Sequence, residues 1–123
     1  MKSKGSSAKD KGKRGERMWR DELRACGWDA TRTGWHQAAV GHESKDVSCP
    51  AIPIHWEVKF CETMSLAAWK KQVAEDCRDG EIPVIAWKKA YQPWLAMLDA
   101  KHLLEILQHT DLKALEESLQ VKP

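Results

Sequence analysis

Two apolar runs, IPIHWEVKF ending at Phe60 and IPVIAW at 82–87, bracket a stretch in which Leu66, Trp69, Val73 and Cys77 recur at helical spacing. A strand, helix, strand order of this length cannot be closed by a tight turn. It implies at least one parallel strand pair with a helix laid over it. The second run is apolar throughout, as in a strand buried on both faces. The first is interrupted by Glu57 and Lys59.

The remaining segments fit around that unit. Trp19, Leu23 and Cys26 lie on one face of a helix over 16–26, which Gly27 can end in a left-handed conformation. GWDATRTG reads as a short strand, 34–45 as a loop pivoting on Gly34 and Gly41, and DVSC at 46–49 as a strand before a turn at Pro50. Asp79-Gly80 ends the second helix, and WLAML at 94–98 forms a further strand after Pro93. Asp99 is placed to cap a helix through Leu107, and Leu112, Leu115 and Leu119 stripe a last one. The order is α-β-β-β-α-β-β-α with one more helix, an α/β fold around a mixed sheet.

Charge is distributed unevenly. Residues 1–20 hold eight Lys/Arg against Asp10 and Glu16, whereas the remainder holds 12 basic and 16 acidic residues. A Lys-, Gly- and Ser-rich start resists burial, so residues 1–14 read as a flexible basic arm on a single domain over 15–123. Such an arm suits a polyanionic partner, nucleic acid being the commonest, or serves as a solubilising tail. Four cysteines without a C-x-x-C pair are expected to be reduced, three of them packed as small hydrophobes. No apolar stretch approaches the length of a membrane span and no secretory signal opens the chain, so a cytoplasmic location is expected. Seven of the nine aromatic residues are Trp, a skew composition alone does not explain.

Strand alternation sends Ile54, Trp56, Val58 and Phe60 to one face and His55, Glu57 and Lys59 to the other. An ionised pair so placed costs several kcal/mol unless it is well hydrogen-bonded or lies beside a metal. A buried ion pair is one reading of it. The other uses Asp46, eleven residues upstream, and Glu16, which shares a helical face with Trp19 and Leu23. Three carboxylates and one ammonium then converge as an oxygen-ligand site suited to Mg²⁺, although Glu16 could instead serve as an acid near the start of its helix.

These segments, taken in order, resemble the PD-(D/E)xK nucleases, and within them the archaeal-type Holliday junction resolvases and phage relatives. The resemblance is carried by KGKRGERMWRDELRACGW, Arg32 before a Gly-bearing loop, KDVS, IHWEVKF, a helix with Gln72, and IPVIAWKK followed by WLAML. Lys45 stands where the family's proline usually sits. The resemblance implies a restriction-endonuclease-like core with a five-stranded sheet. Asp46, Glu57 and Glu16 would be metal ligands, Lys59 the catalytic lysine and Gln72 a supporting residue, with Mg²⁺ as cofactor and Mn²⁺ as substitute. Lys11, Lys13, Arg14, Arg17, Arg32, Lys70 and Lys71 would contact DNA, and Trp35 and His36 could stack on an unpaired base. The implied activity is structure-selective DNA cleavage by a homodimer in a bacterial, archaeal or phage-infected cell. A same-fold nuclease for linear, nicked or flapped DNA, and a non-catalytic nucleic-acid binder, are the competing readings.

Overall fold

A computed structural model of the chain describes residues 4–32 and 46–120, with side chains from residue 9 onward. The expected loop at 34–45, with Trp35 and His36, lies outside the described residues. The elements are α1 (Lys4–Ala25), β1 (Thr31–Arg32), β2 (Val47–Ser48), β3 (Ile54–Phe60), α2 (Leu66–Asp76), β4 (Ile82–Lys88), β5 (Leu95–Met97), α3 (Ala100–Gln108) and α4 (Leu112–Gln120). The sheet order is β1-β2-β3-β4-β5. Only the β3/β4 pair is parallel, running from Ile54 opposite Ile82 to Phe60 opposite Lys88, and α2 makes the crossover between them. The other pairings are antiparallel, which gives the expected mixed five-stranded α/β architecture.

Period-two alternation divides the core between the two faces of the sheet. On one, Trp56, Val58, Val84 and Ala86 bury against Leu23 of α1 together with Val47, Cys49 and Ala30. On the other, Ile85 and Trp87 bury against Trp69 and Val73 of α2. Five of the seven tryptophans serve these two layers. Trp19 stands edge-on to Trp56 with ring centroids 5.0 Å apart and lies 5.1 Å from Trp94, while Trp69 meets Trp87 at 6.1 Å. Each such pair contributes roughly 0.5–1.5 kcal/mol beyond the area it buries. The Trp87 indole N–H donates to the Cys61 carbonyl at 3.0 Å, so its polar edge is satisfied.

Helix α1 corrects one expectation. It starts at Lys4 rather than near Gly15, so residues 4–14, read as a flexible arm, continue the helix. Lys and Ala are good helix formers, and two contacts tie the stretch down. A Cβ at Gly15 would sit 2.6 Å from the Phe60 Cβ, so helix and strand approach as closely as glycine allows. One turn earlier, Lys11 Nζ lies 3.7 Å from Glu62 Oε1. Gly27, at φ 92°, ends the chain's turn out of α1 as expected.

The cysteines differ as well. All four are free, but only Cys49 is buried; Cys26 is exposed, and Cys61 and Cys77 are half-buried at the ends of β3 and α2, where packing is incomplete. Asp99 occupies the N-cap position of α3 without a capping hydrogen bond, because its carboxylate is drawn to Lys70 Nζ at 3.1 Å. That contact holds the Asp99 carboxyl below the usual carboxylate range. Helices α3 and α4 bury no residue and leave Leu103, Leu104, Leu107, Leu112, Leu115 and Leu119 exposed. Among the described residues, no helix is long and apolar enough to cross a membrane.

The close approach at Gly15 has a measurable effect. Gly15→Ala should lower stability by about 1–3 kcal/mol in denaturant unfolding, even though alanine is the better helix former.

Candidate active site

The β2/β3 register pairs Val47 with Trp56, which brings Asp46, the residue before β2, beside Glu57 and Val58 of β3. Asp46 Oδ2 accepts a hydrogen bond from the Val58 N–H at 2.9 Å. That bond fixes the carboxylate against β3. Glu57 is 4% exposed. Its Oε1 lies 3.2 Å from Lys59 Nζ, and the same ammonium donates to Gln72 Oε1 of α2 at 3.3 Å. Lys59 also sits 5.8 Å from the Trp69 ring centroid, so an amide, a carboxylate and an aromatic face hold the ammonium in place.

The electrostatics follow from burial. Desolvation, then repulsion from Glu57, pushes the Asp46 pKa up from its ordinary 3.8 to about 7, against the opposing hydrogen bond from Val58. Glu57 is pushed upward too, first by burial and then by Asp76 and Glu16, with Lys59 acting the other way. A half-buried and a buried carboxylate that resist ionising together form a donor set a divalent cation satisfies, since its charge offsets both desolvation and mutual repulsion. The residues present therefore fit a hard divalent metal.

Glu16 adds a smaller repulsion to both carboxylates but lies outside the grouping of donor atoms around Glu57. Its Oε1 is bound by Arg32 Nε at 2.8 Å. That pair links α1 to β1, and it commits Arg32, one of the DNA-contact candidates, to a protein carboxylate. Lys70 is likewise committed, to Asp99. Lys13, Arg14, Arg17 and Lys71 are exposed. Lys11, Arg14 and Lys88 converge over the Phe60 ring, with charges 4.9, 5.6 and 5.7 Å from its centroid.

From the sequence, Asp76 and Lys88 have no role, and His55 is at most a neighbour on the Glu57 face. His55 and Asp76 each place one donor atom within 4.8 Å of the other and of Glu57; among the described residues this is the grouping of three at ligand distance, and it includes neither Asp46 nor Glu16. His55 is fully buried, and its Nδ1 lies 3.9 Å from Glu81 Oε1. Asp76 was legible in principle, since it follows Gln72 by four residues and so shares its helical face. Lys88 carried no signal beyond charge; its role comes from standing opposite Phe60 in the parallel ladder.

A sequence model of the family described as "Phage putative PDDEXK endonuclease" matches residues 7–122. The chain belongs to this family. No curated protein and no solved structure gave a match. The matched span runs from α1 to the end of α4, so it contains Glu16, Asp46, Glu57, Lys59 and Gln72 together.

The raised pKa values of this PD-(D/E)xK protein set a pH dependence. Folded Asp46 keeps its proton to about pH 7, whereas in the unfolded chain it ionises near 3.8, so between these values the native state binds more protons. Without divalent metal, stability should therefore fall as pH rises from about 4 to about 7 and level off above. Asp46→Asn should flatten that slope in denaturant unfolding carried out in EDTA.

Proposed function

We propose that this chain is a divalent-metal-dependent endonuclease that hydrolyses DNA phosphodiesters, using Mg²⁺ with Mn²⁺ as a substitute. The observation that carries the reading is the carboxylate pair of half-buried Asp46 and buried Glu57, both resisting ionisation, with the Lys59 ammonium 3.2 Å from Glu57. A non-catalytic binder has no use for two acids that resist ionising beside a fixed lysine. Asp46 and Glu57 would hold the cation, and Glu16, steadied by Arg32, would lie at its margin. Bound there, the cation neutralises phosphate charge and lowers the pKa of a coordinated water.

The chain's own groups do the positioning. The Val58 N–H orients Asp46. Gln72 and Glu57 aim the Lys59 N–H groups at the place where a phosphate oxygen and an attacking water meet, and there the ammonium stabilises charge that develops as the bond breaks. Departure of the 3′ oxygen leaves a 5′-phosphate end. Lys11, Arg14 and Lys88 extend positive charge from the end of β3 along α1, a track that a phosphate backbone can follow.

The preferred substrate in this reading is branched DNA, as in the resolvases the sequence resembles. A four-way junction is two-fold symmetric, so symmetric cutting needs two sites. The exposed leucines of α3 and α4 offer an apolar surface on which two copies could pair.

Cleavage of labelled four-way junction, flap and matched duplex tests the proposal, with Mg²⁺ and with EDTA. The enzyme should cut only with metal and favour the junction; absence of cutting on every substrate would sink it. Lys59→Ala should slow cleavage by about 10²- to 10³-fold while DNA affinity stays near wild type. Alanine at Lys11, Arg14 or Lys88 should lower the salt dependence of binding, by about 0.9 in log–log slope for each phosphate that is no longer neutralised. Sedimentation with and without Leu104→Glu and Leu115→Glu reads the oligomeric state.

A further inference from the structure

The chain's one Tyr and one Phe stand at the same end of the molecule. Phe60 lies beneath the cationic cluster, whereas Tyr91 is 99% exposed, more than any other large apolar or aromatic side chain among the described residues. It is also the one non-glycine described residue with positive φ, at 64°. A left-handed tyrosine is strained, and a ring fully in water recovers nothing by packing. Asn or Gly would fill the turn at lower cost. Strain and exposure together at one residue call for a reason outside the fold.

The turn that presents Tyr91 is held firmly. The Lys88 carbonyl accepts a hydrogen bond from the Cys61 N–H at 3.1 Å, the Ala90 N–H donates to Glu62 Oε1 at 3.3 Å, and the Gln92 N–H donates to the Lys89 carbonyl at 3.1 Å. Glu62 Oε1 is the same oxygen that faces Lys11 Nζ at 3.7 Å. One carboxylate thus ties the Tyr91 turn to the cationic side of α1. The turn continues β4 beyond its carboxyl end, on the side where β3 carries Lys59 and Phe60. Chain geometry keeps Tyr91 within about 20 Å of Glu57, a path of no more than roughly six steps along one DNA strand.

An exposed aromatic ring on a hydrogen-bonded turn, three residues beyond Lys88 of the cationic cluster, is a stacking platform for an unpaired base. Paired bases are stacked within the duplex and offer no face to it. We propose that Tyr91 is the specificity contact of this nuclease, stacking on an unpaired base so that DNA with a strand discontinuity is chosen over continuous duplex. This rests on the cleavage reading above and not on its junction preference: a four-way junction keeps its bases paired, so a Tyr91 contact points to gapped or flapped substrates.

The test uses full-length protein and two DNAs of the same sequence, a continuous duplex and a gapped one with 2-aminopurine at the unpaired position. Affinity and fluorescence are read alongside cleavage. Wild type should prefer the gapped DNA and quench the probe. Tyr91→Gly suits the left-handed backbone, so it should melt no earlier than wild type, yet lose about 5- to 100-fold in affinity for gapped DNA. The gapped-to-duplex affinity ratio should then collapse toward one, and Tyr91→Trp should restore it. Equal affinity of wild type for both DNAs, an equal loss on both in Tyr91→Gly, or unchanged quenching in that variant would each overturn the proposal. If wild type quenches the probe and cuts neither DNA, stacking stands and the nuclease reading falls.

Discussion

Everything else in this chain is arranged around the seven-residue parallel pairing of β3 with β4. Parallel strands cannot be joined directly, so α2 must cross the sheet and cover one face. That face is the one to which alternation assigns His55, Glu57 and Lys59. Helix α2 therefore has two tasks: Trp69 and Val73 close the core, and Gln72 and Asp76 meet the polar residues of β3. Burial of Glu57 follows from topology, and its reluctance to ionise follows from burial.

From the opposite face, α1 brings the charge of Glu16 to bear on both carboxylates. Helix α1 packs on Trp56 and Val58, and at Gly15 its backbone comes as near to Phe60 as a helix can. The next residue is Glu16, locked to Arg32 at the far side of the sheet. A charged residue beside the tightest helix–strand contact has little freedom to reorient. Closeness at Gly15 thus gives precision at Glu16.

Much of this was legible in the sequence, and the reasons are local. The period-two pattern of IHWEVKF separates Glu57 and Lys59 from Trp56 and Val58 without knowledge of the fold, and the apolar run of β4 with the spacing of Leu66, Trp69 and Val73 implies the crossover. What composition obscured was α1: a Lys-, Gly- and Ser-rich stretch looks mobile, yet distant contacts through Phe60 and Glu62 support it as helix. The grouping of His55 and Asp76 with Glu57 was hidden because it depends on how α2 lies across β3. Charge alone could not separate Lys88 over Phe60 from Lys70 bound to Asp99. Nor could a count of tryptophans reveal two aromatic layers, one on each side of the sheet.

The close approach at Gly15 also divides α1 into two parts that respond differently to a change in length. A residue inserted between Arg14 and Gly15 leaves Glu16 and everything after it anchored. The helix before it turns by about 100°, which swings Lys11 and Arg14 away from Phe60 and Glu62. An insertion after Glu16 keeps the cations in place and turns Trp19 and Leu23 out of the core. Over generations this helix is free to accept substitutions along its outer side, but its length around Gly15 is held on both flanks, by surface charge before the glycine and by the buried layer after it.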